Sequence, residues 1–167
     1  MKQSAGILLF KIQQEQLFVL LVHPGGPFFT KKDTGAWTIP KGEFEEGEEP
    51  LATARREFFE EMGTRMDEEV HPLKLIKQKG GKVVNAWAAE GELDLREFRS
   101  NTFEMEWPPR SGKKQSFPEV DKAEWFGVED ALTKINAAQQ NFVFEIEEKL
   151  FAEKRIRSAR SRFNAAT

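Results

Sequence analysis

The chain has 167 residues, 39% of them hydrophobic and 15 of them Phe, which suffices for one core in a single domain. With no Cys it excludes disulfides and thiolate catalysis, and with only His23 and His71 no His/Cys zinc site is expected. Its 25 basic and 28 acidic residues give a net charge of −3, so nothing global favours nucleic acid; without a long apolar run or a leader pattern, no membrane partner is expected and the cytoplasm is the expected compartment.

Taken in chain order, residues 5–10 and 17–22 are apolar runs around a polar stretch at 11–16, which predicts two strands joined by a turn. The sequence His-Pro-Gly-Gly-Pro at 23–27 breaks regular structure, 28–35 reads as a loop, and Trp37-Thr38-Ile39-Pro40 as a short extended piece. Residues 42–47 are expected to form a loop before a helix, with Pro50 in its first turn and Gly63 at its C-cap. Segments 73–78 and 83–89 flank Lys79-Gly80-Gly81-Lys82, a hairpin signal that could also cradle phosphate. Residues 99–118 are polar and proline-broken, 123–126 read as a final short strand, and helices are predicted to begin at 128 and to cover 141–151, where Phe142, Ile146 and Leu150 recur at helical spacing. Strands, helix, strands and then helices predict an α/β fold with a mixed sheet covered on both sides. The domain is expected to span 1–151, and 152–167 to be a basic helix end or tail, with five basic residues between 154 and 162.

The chemistry concentrates in residues 42–64. Glu57, Glu60 and Glu61 stand at i, i+3 and i+4, so on a helix their carboxylates project from one side within about one turn. Leu51, Ala54, Phe58 and Met62 lie on roughly the other side and offer an apolar face for docking. Like charges at that spacing destabilise a helix, and a cation relieves them. Hard oxygen ligands suit magnesium, shared with substrate phosphates, with manganese as a possible substitute.

Gly42, Glu48, Arg56, Glu57, Phe58, Glu60, Glu61 and Gly63 stand at the spacings of the Nudix box, and the segment resembles it; chance would give such a match in roughly one chain in 10^5 or fewer. Two positions depart from the pattern: Phe58 is aromatic where an aliphatic residue is usual, and Thr64 replaces a bulky aliphatic one. Both are packing positions and leave the carboxylates intact. The resemblance implies an α/β/α sandwich and metal-assisted hydrolysis of a phosphoanhydride, with a small nucleotide as substrate and nucleic acid an unlikely partner.

Carried over by position, it implies that Glu57, Glu60, Glu61 and the main-chain carbonyl of Lys41 ligate metal. It further implies that Arg56 makes an orienting salt bridge, for which Glu48 is the chosen partner. Glu119, in the loop before the last strand, is the candidate general base, with Glu104, Glu106 and Glu57 as rivals. Trp37-Thr38-Ile39-Pro40-Lys41-Gly42 resembles the stretch before the box in members acting on dinucleoside or diphosphoinositol polyphosphates. On the substrate side Lys41, Arg110, Lys113 and Lys114 are candidate phosphate contacts, together with Trp37, His23 and Lys31 or Lys32, while Phe28, Phe29 or Trp107 could stack on a base. Two alternatives to a hydrolase of small nucleotides stand beside this reading: a catalytically silent nucleotide-binding module, and a hydrolase of RNA 5′ phosphates. The sequence sets no oligomeric state.

Overall fold

A computed structural model describes residues 2–157 and 159. Its framework is a seven-stranded sheet in which β4 (Val70–Pro72), β6 (Val83–Glu90), β1 (Gln3–Gln13), β2 (Gln16–Pro24) and β9 (Val120–Gly127) lie side by side in that order. β3 (Lys41–Phe44) also pairs with β1, and β5 (Ile76–Lys77) with β6. The β1–β6 pair is parallel and the other ladders are antiparallel, so the sheet is mixed. Three helices cover it: α1 (Pro50–Met62) on one face, α2 (Val128–Lys134) and α3 (Gln140–Ala152) on the other.

Strand alternation assigns side chains to the two cores. Ala5, Ile7 and Leu9 of β1, with Leu20 and Val22 of β2, pack on Ala54, Phe58 and Met62 of α1. Leu8, Phe10, Val19 and Leu21 face the other way, onto Ala131, Phe142, Val143, Ile146 and Leu150 of α2 and α3. The α/β/α architecture follows from strands apolar on both sides.

Several expected boundaries move. The first two strands are longer than their apolar cores because the ladder continues through polar residues to Gln13↔Gln16, leaving only Gln14 and Glu15, both with positive φ, as the turn. Residues 41–44, expected as loop, form β3; only Phe44 packs on a core, so the strand carries no apolar alternation. Residues 37–40 belong to no strand and make isolated bridges, Thr38 to Val22 and Trp37 to Ile135. The stretch 99–118 contains β7 (Thr102–Glu106) and β8 (Lys114–Pro118), paired as a separate two-stranded arm. Of the prolines that seemed to break it, Pro108 and Pro109 sit at the tip and Pro118 ends β8, while Phe103 and Met105 alternate with exposed Glu104 and Glu106 below the tip. β4 carried no signal of its own in the sequence.

Residues 155–157, beyond α3, are anchored. Ile156 is buried in the α3-side core, Arg155 makes two hydrogen bonds to Glu90 at 2.8 and 2.7 Å, and the Arg157 main-chain N–H donates to Glu15 O at 2.8 Å. Of the other basic residues of that stretch, Lys154 is exposed, and Arg160 and Arg162 lie outside the described residues. Among the described residues no helix is long and apolar enough to cross a membrane.

Candidate active site

Helix α1 is held at both ends. Glu49 caps its N-terminus, accepting from the Ala52 N–H at 2.9 Å, and Pro50 occupies the first turn. At the other end Gly63 takes φ 78°, and a Cβ there would meet Arg99 O at 2.8 Å, so both conformation and space select glycine. A strap at residues 99–101 satisfies carbonyls that the helix leaves open: Arg99 N–H donates to Met62 O at 3.1 Å and Asn101 N–H to Glu60 O at 2.7 Å. The same strap reaches β9, where Glu119 N–H donates to Asn101 O at 2.8 Å and Val120 N–H to Ser100 Oγ at 3.0 Å. Helix and Glu119 are thus tied through one short segment.

The result is a cluster of three carboxylates. Glu57, Glu60 and Glu119 each place an oxygen within 4.8 Å of the others. Burial first, then the charges of Glu60 and Glu119, hold Glu57 above the usual carboxylate range; burial and Glu60 do the same to Glu119. Glu61 sits deeper, 6% exposed, and is raised well above that range by burial and by Glu57 and Glu119, although Lys41 opposes this through its charge and its main-chain N–H. Hard oxygens, mutual repulsion and partial burial fit a divalent cation. Of the ligands implied by the resemblance, the structure brings Glu57 and Glu60 together, places Glu61 behind them, and adds Glu119. For Lys41 it shows the N–H on Glu61.

Arg56 lies against this cluster. Its Nη1 lies 3.2 Å from Glu48 Oε2, Nη2 3.6 Å from Glu57 Oε1 and Nε 3.8 Å from Glu60 Oε1, so one guanidinium spans three box carboxylates; the Glu48 hydrogen bond, then the charges of Glu57, Glu48 and Glu60, raise its pKa. Glu48 also accepts from the Glu45 N–H at 2.8 Å, which fixes the turn before the helix. Gly42 lies against the site: a Cβ there would collide with the Glu57 carboxyl carbon and both oxygens.

The expected substrate contacts are dispersed. His23 is 2% exposed, with Nδ1 2.7 Å from Asp121 Oδ1 and Nε2 2.6 Å from Lys32 O. Trp37 is 3% exposed, donates from Nε1 to Asp33 at 2.8 Å and packs edge-on against His23 and Phe126. Both are core residues, with their polar atoms already used and no open face toward a ligand. Arg110, Lys113 and Lys114 are exposed at the tip of the β7–β8 arm. Pro118, next to Glu119, is four strand residues from Lys114, which puts Lys114 about 13 Å along β8 from that end of the strand. Phe28 is exposed and packs edge-on to Trp107 at 5.5 Å, while Lys32 Nζ lies 5.3 Å from the Phe29 ring centre. Glu104 and Glu106 point outward from the arm, away from its apolar face. Asn101 and Ser100, which join helix to Glu119, had no sequence signal.

The model of the NUDIX domain matches residues 2–146. The chain belongs to the NUDIX family. An RNA pyrophosphohydrolase of Bartonella henselae is 26% identical over 147 residues, 77% of this chain and 77% of that protein. Among solved structures, an Ap4A hydrolase binary complex of C. elegans superposes with a TM-score of 0.61 at 21% identity, covering 92% of this chain and 99% of that one. The NUDIX domain of Shewanella oneidensis NrtR, complexed with ADP ribose, gives 0.59 at 20% identity over 89% and 87%. These structural likenesses establish a shared fold.

The carboxylates set a pH dependence of stability in metal-free protein. Glu57, Glu61 and Glu119 are raised in the folded state, so that state binds more protons than the unfolded chain between the ordinary carboxylate pKa and their folded values. Their contribution is therefore complete below the ordinary value and is lost as pH rises through the folded ones. In chelator, Tm should rise on acidification from pH 8 to 5, before groups with lowered pKa, such as Asp33, Glu43 and Asp94, reverse the trend at lower pH. Glu61→Gln should raise the metal-free Tm at pH 8 by at least about 2 °C and flatten the profile. A wild-type Tm that is flat or falling from pH 8 to 5 contradicts this assignment.

Proposed function

We propose that this NUDIX-family chain is a magnesium-dependent hydrolase, with manganese as a substitute ion, that cleaves a phosphoanhydride in a nucleoside diphosphate-linked substrate, either a dinucleoside polyphosphate or a nucleoside triphosphate. The observation that carries this is the convergence of Glu57, Glu60 and Glu119 within 4.8 Å, tied together by the 99–101 strap. It also speaks against a catalytically silent module, because the carboxylates are intact and assembled. Glu57 and Glu60 would hold the metal, with Glu61 behind them and the Lys41 carbonyl as a further ligand. When bound, the metal neutralises phosphate charge and acidifies water. Arg56 keeps the two carboxylates oriented while itself held by Glu48. Glu119, partly desolvated and basic for a carboxylate, accepts the proton of the attacking water.

Two measurements test this. With magnesium present, hydrolysis of ATP, diadenosine tetraphosphate, a nucleotide sugar and 5′-triphosphate RNA should favour the first two. For the base, Glu119→Gln should lower kcat by at least about 10^2 while the magnesium concentration for half-activation stays within about threefold. A tenfold higher magnesium requirement would make Glu119 a ligand instead, and an unaltered kcat would remove it from the chemistry.

A second reading, hydrolysis at an RNA 5′ end, is favoured by one feature. The arm beside Glu119 carries Trp107 against Phe28 and cations at its tip, a combination suited to single strands. Preference for triphosphorylated RNA in the same panel would select it.

A further inference from the structure

On the face of the sheet opposite α1 lies a cleft of about 710 Å³ lined by Lys41, Lys79, Lys82, Gln78, Asn136 and the turn at 137–138. Register fixes the face. Gly6 pairs with Lys41 and Ser4 with Glu43 across β1–β3, and Ser4 pairs with Val84 across β1–β6, so these residues share one side of the sheet with Lys82. Gly42 and Phe44 point to the α1 side, where Gly42 meets Glu57. The cleft is thus separated from the carboxylate cluster by the thickness of β3.

Its chemistry is cationic. Three lysines converge: Lys82 Nζ bridges across β1 to Glu43 at 2.7 Å, and the largely buried Lys41 also feels the charges of Glu61, Glu43 and Glu57. Among the described residues neither Lys41 nor Lys79 has an ion-pair partner, in a chain that is acidic overall. The Gly80-Gly81 turn sets Lys79 and Lys82 on neighbouring ends of the β5–β6 hairpin, where Gln78 N–H donates to Lys82 O at 2.7 Å. On the same face the Ser4 hydroxyl is buried without a hydrogen-bond partner. Like charges drawn together, with Lys41 and Lys79 outside any direct ion pair, are stabilised by a multiply charged anion. No aromatic ring is among the lining residues, so the cleft offers phosphate contacts and nothing on which a base could stack.

We propose that this cleft is a second anion site, distinct from the carboxylate cluster, and that it binds a chain of phosphate groups. The ammonium groups of Lys41, Lys79 and Lys82 meet the phosphate oxygens, and the side-chain amides of Gln78 and Asn136 add hydrogen bonds. Such a chain could be free inorganic polyphosphate or the phosphate tail of a nucleotide.

Titration calorimetry of the full chain with sodium tripolyphosphate in chelator tests this without turnover. In the absence of metal the carboxylate cluster repels the anion, so the measurement isolates the cleft and its outcome does not depend on the hydrolase reading. One-to-one binding is expected, weakened at least tenfold by Lys79→Ala combined with Lys82→Ala, and several-fold by Lys79→Ala alone, which changes only an exposed turn residue. Arg110→Ala, Lys113→Ala and Lys114→Ala together, at the arm tip, should leave affinity within twofold. ATP binding as tightly as tripolyphosphate identifies the nucleotide tail as an occupant, and ATP binding tenfold more weakly identifies free polyphosphate. No binding by wild type, an unchanged affinity in the Lys79/Lys82 variant, or an equal loss in the arm-tip variant overturns the proposal.

Discussion

Glu57→Gln and Glu60→Gln should each lower kcat by at least about 10^2, a loss of roughly 2.7 kcal/mol of transition-state stabilisation, while the protein remains folded. The two carboxylates, with Glu119, form the cluster that fits a divalent cation, and an amide supplies one neutral oxygen where the cation needs negative charge. Folding should survive because neither charge holds the structure together. Glu57 is destabilised in its charged form by burial and by Glu60 and Glu119, so neutralising it relieves repulsion. Circular dichroism and Tm in chelator should therefore match or exceed wild type, whereas magnesium should stabilise wild type and fail to stabilise the variants to the same degree. Steady-state hydrolysis of ATP and diadenosine tetraphosphate at saturating magnesium supplies the rates. Wild-type kcat in either variant, or wild-type turnover in excess chelator, would remove the metal-dependent reading.

What the sequence discloses is governed by distance along the chain. The box carboxylates are legible because a single helix sets their spacing, and its start and stop are marked by Pro50 and Gly63. The Arg56–Glu48 pair is local enough to be found, but its reach to Glu57 and Glu60 depends on how the guanidinium lies across the helix surface. Glu119 could be singled out only as a loop glutamate. Its place beside Glu57 and Glu60 is set by the strap at 99–101, whose hydrogen bonds are made by main-chain atoms apart from the Ser100 hydroxyl, a common side chain that marks nothing. Main-chain contacts leave little trace in residue identity. His23 and Trp37 illustrate the converse: polar and aromatic side chains that suit a ligand also suit a core, and here Asp121, Lys32 and Asp33 occupy their polar atoms. The arm was readable in the alternation of Phe103 and Met105 with Glu104 and Glu106, but two prolines at its tip obscured a hairpin whose strands are intact below them.

Gly42→Ala should reproduce much of the Glu57 defect without touching a carboxylate, lowering kcat by at least about 30-fold, near 2 kcal/mol, with Tm changed by less than about 2 °C. The added Cβ would occupy space now filled by the Glu57 carboxyl group, whose carbon and two oxygens are the atoms nearest to it. That group is the far end of a flexible side chain, so the obstruction is relieved by rotation of Glu57 rather than by movement of β3 or α1. Rotation takes the carboxylate out of reach of Glu60, Glu119 and the Arg56 Nη2. Stability is then nearly preserved while the site is disassembled, which separates this substitution from ordinary core overpacking. Because both changes act through one carboxylate, Gly42→Ala combined with Glu57→Gln should be no slower than Glu57→Gln alone, a departure from additivity of about 2 kcal/mol that a double-mutant cycle reads directly. Additive losses would mean that Gly42 acts on the reaction by another route, and a Tm lowered by many degrees would mean that β3 itself had moved.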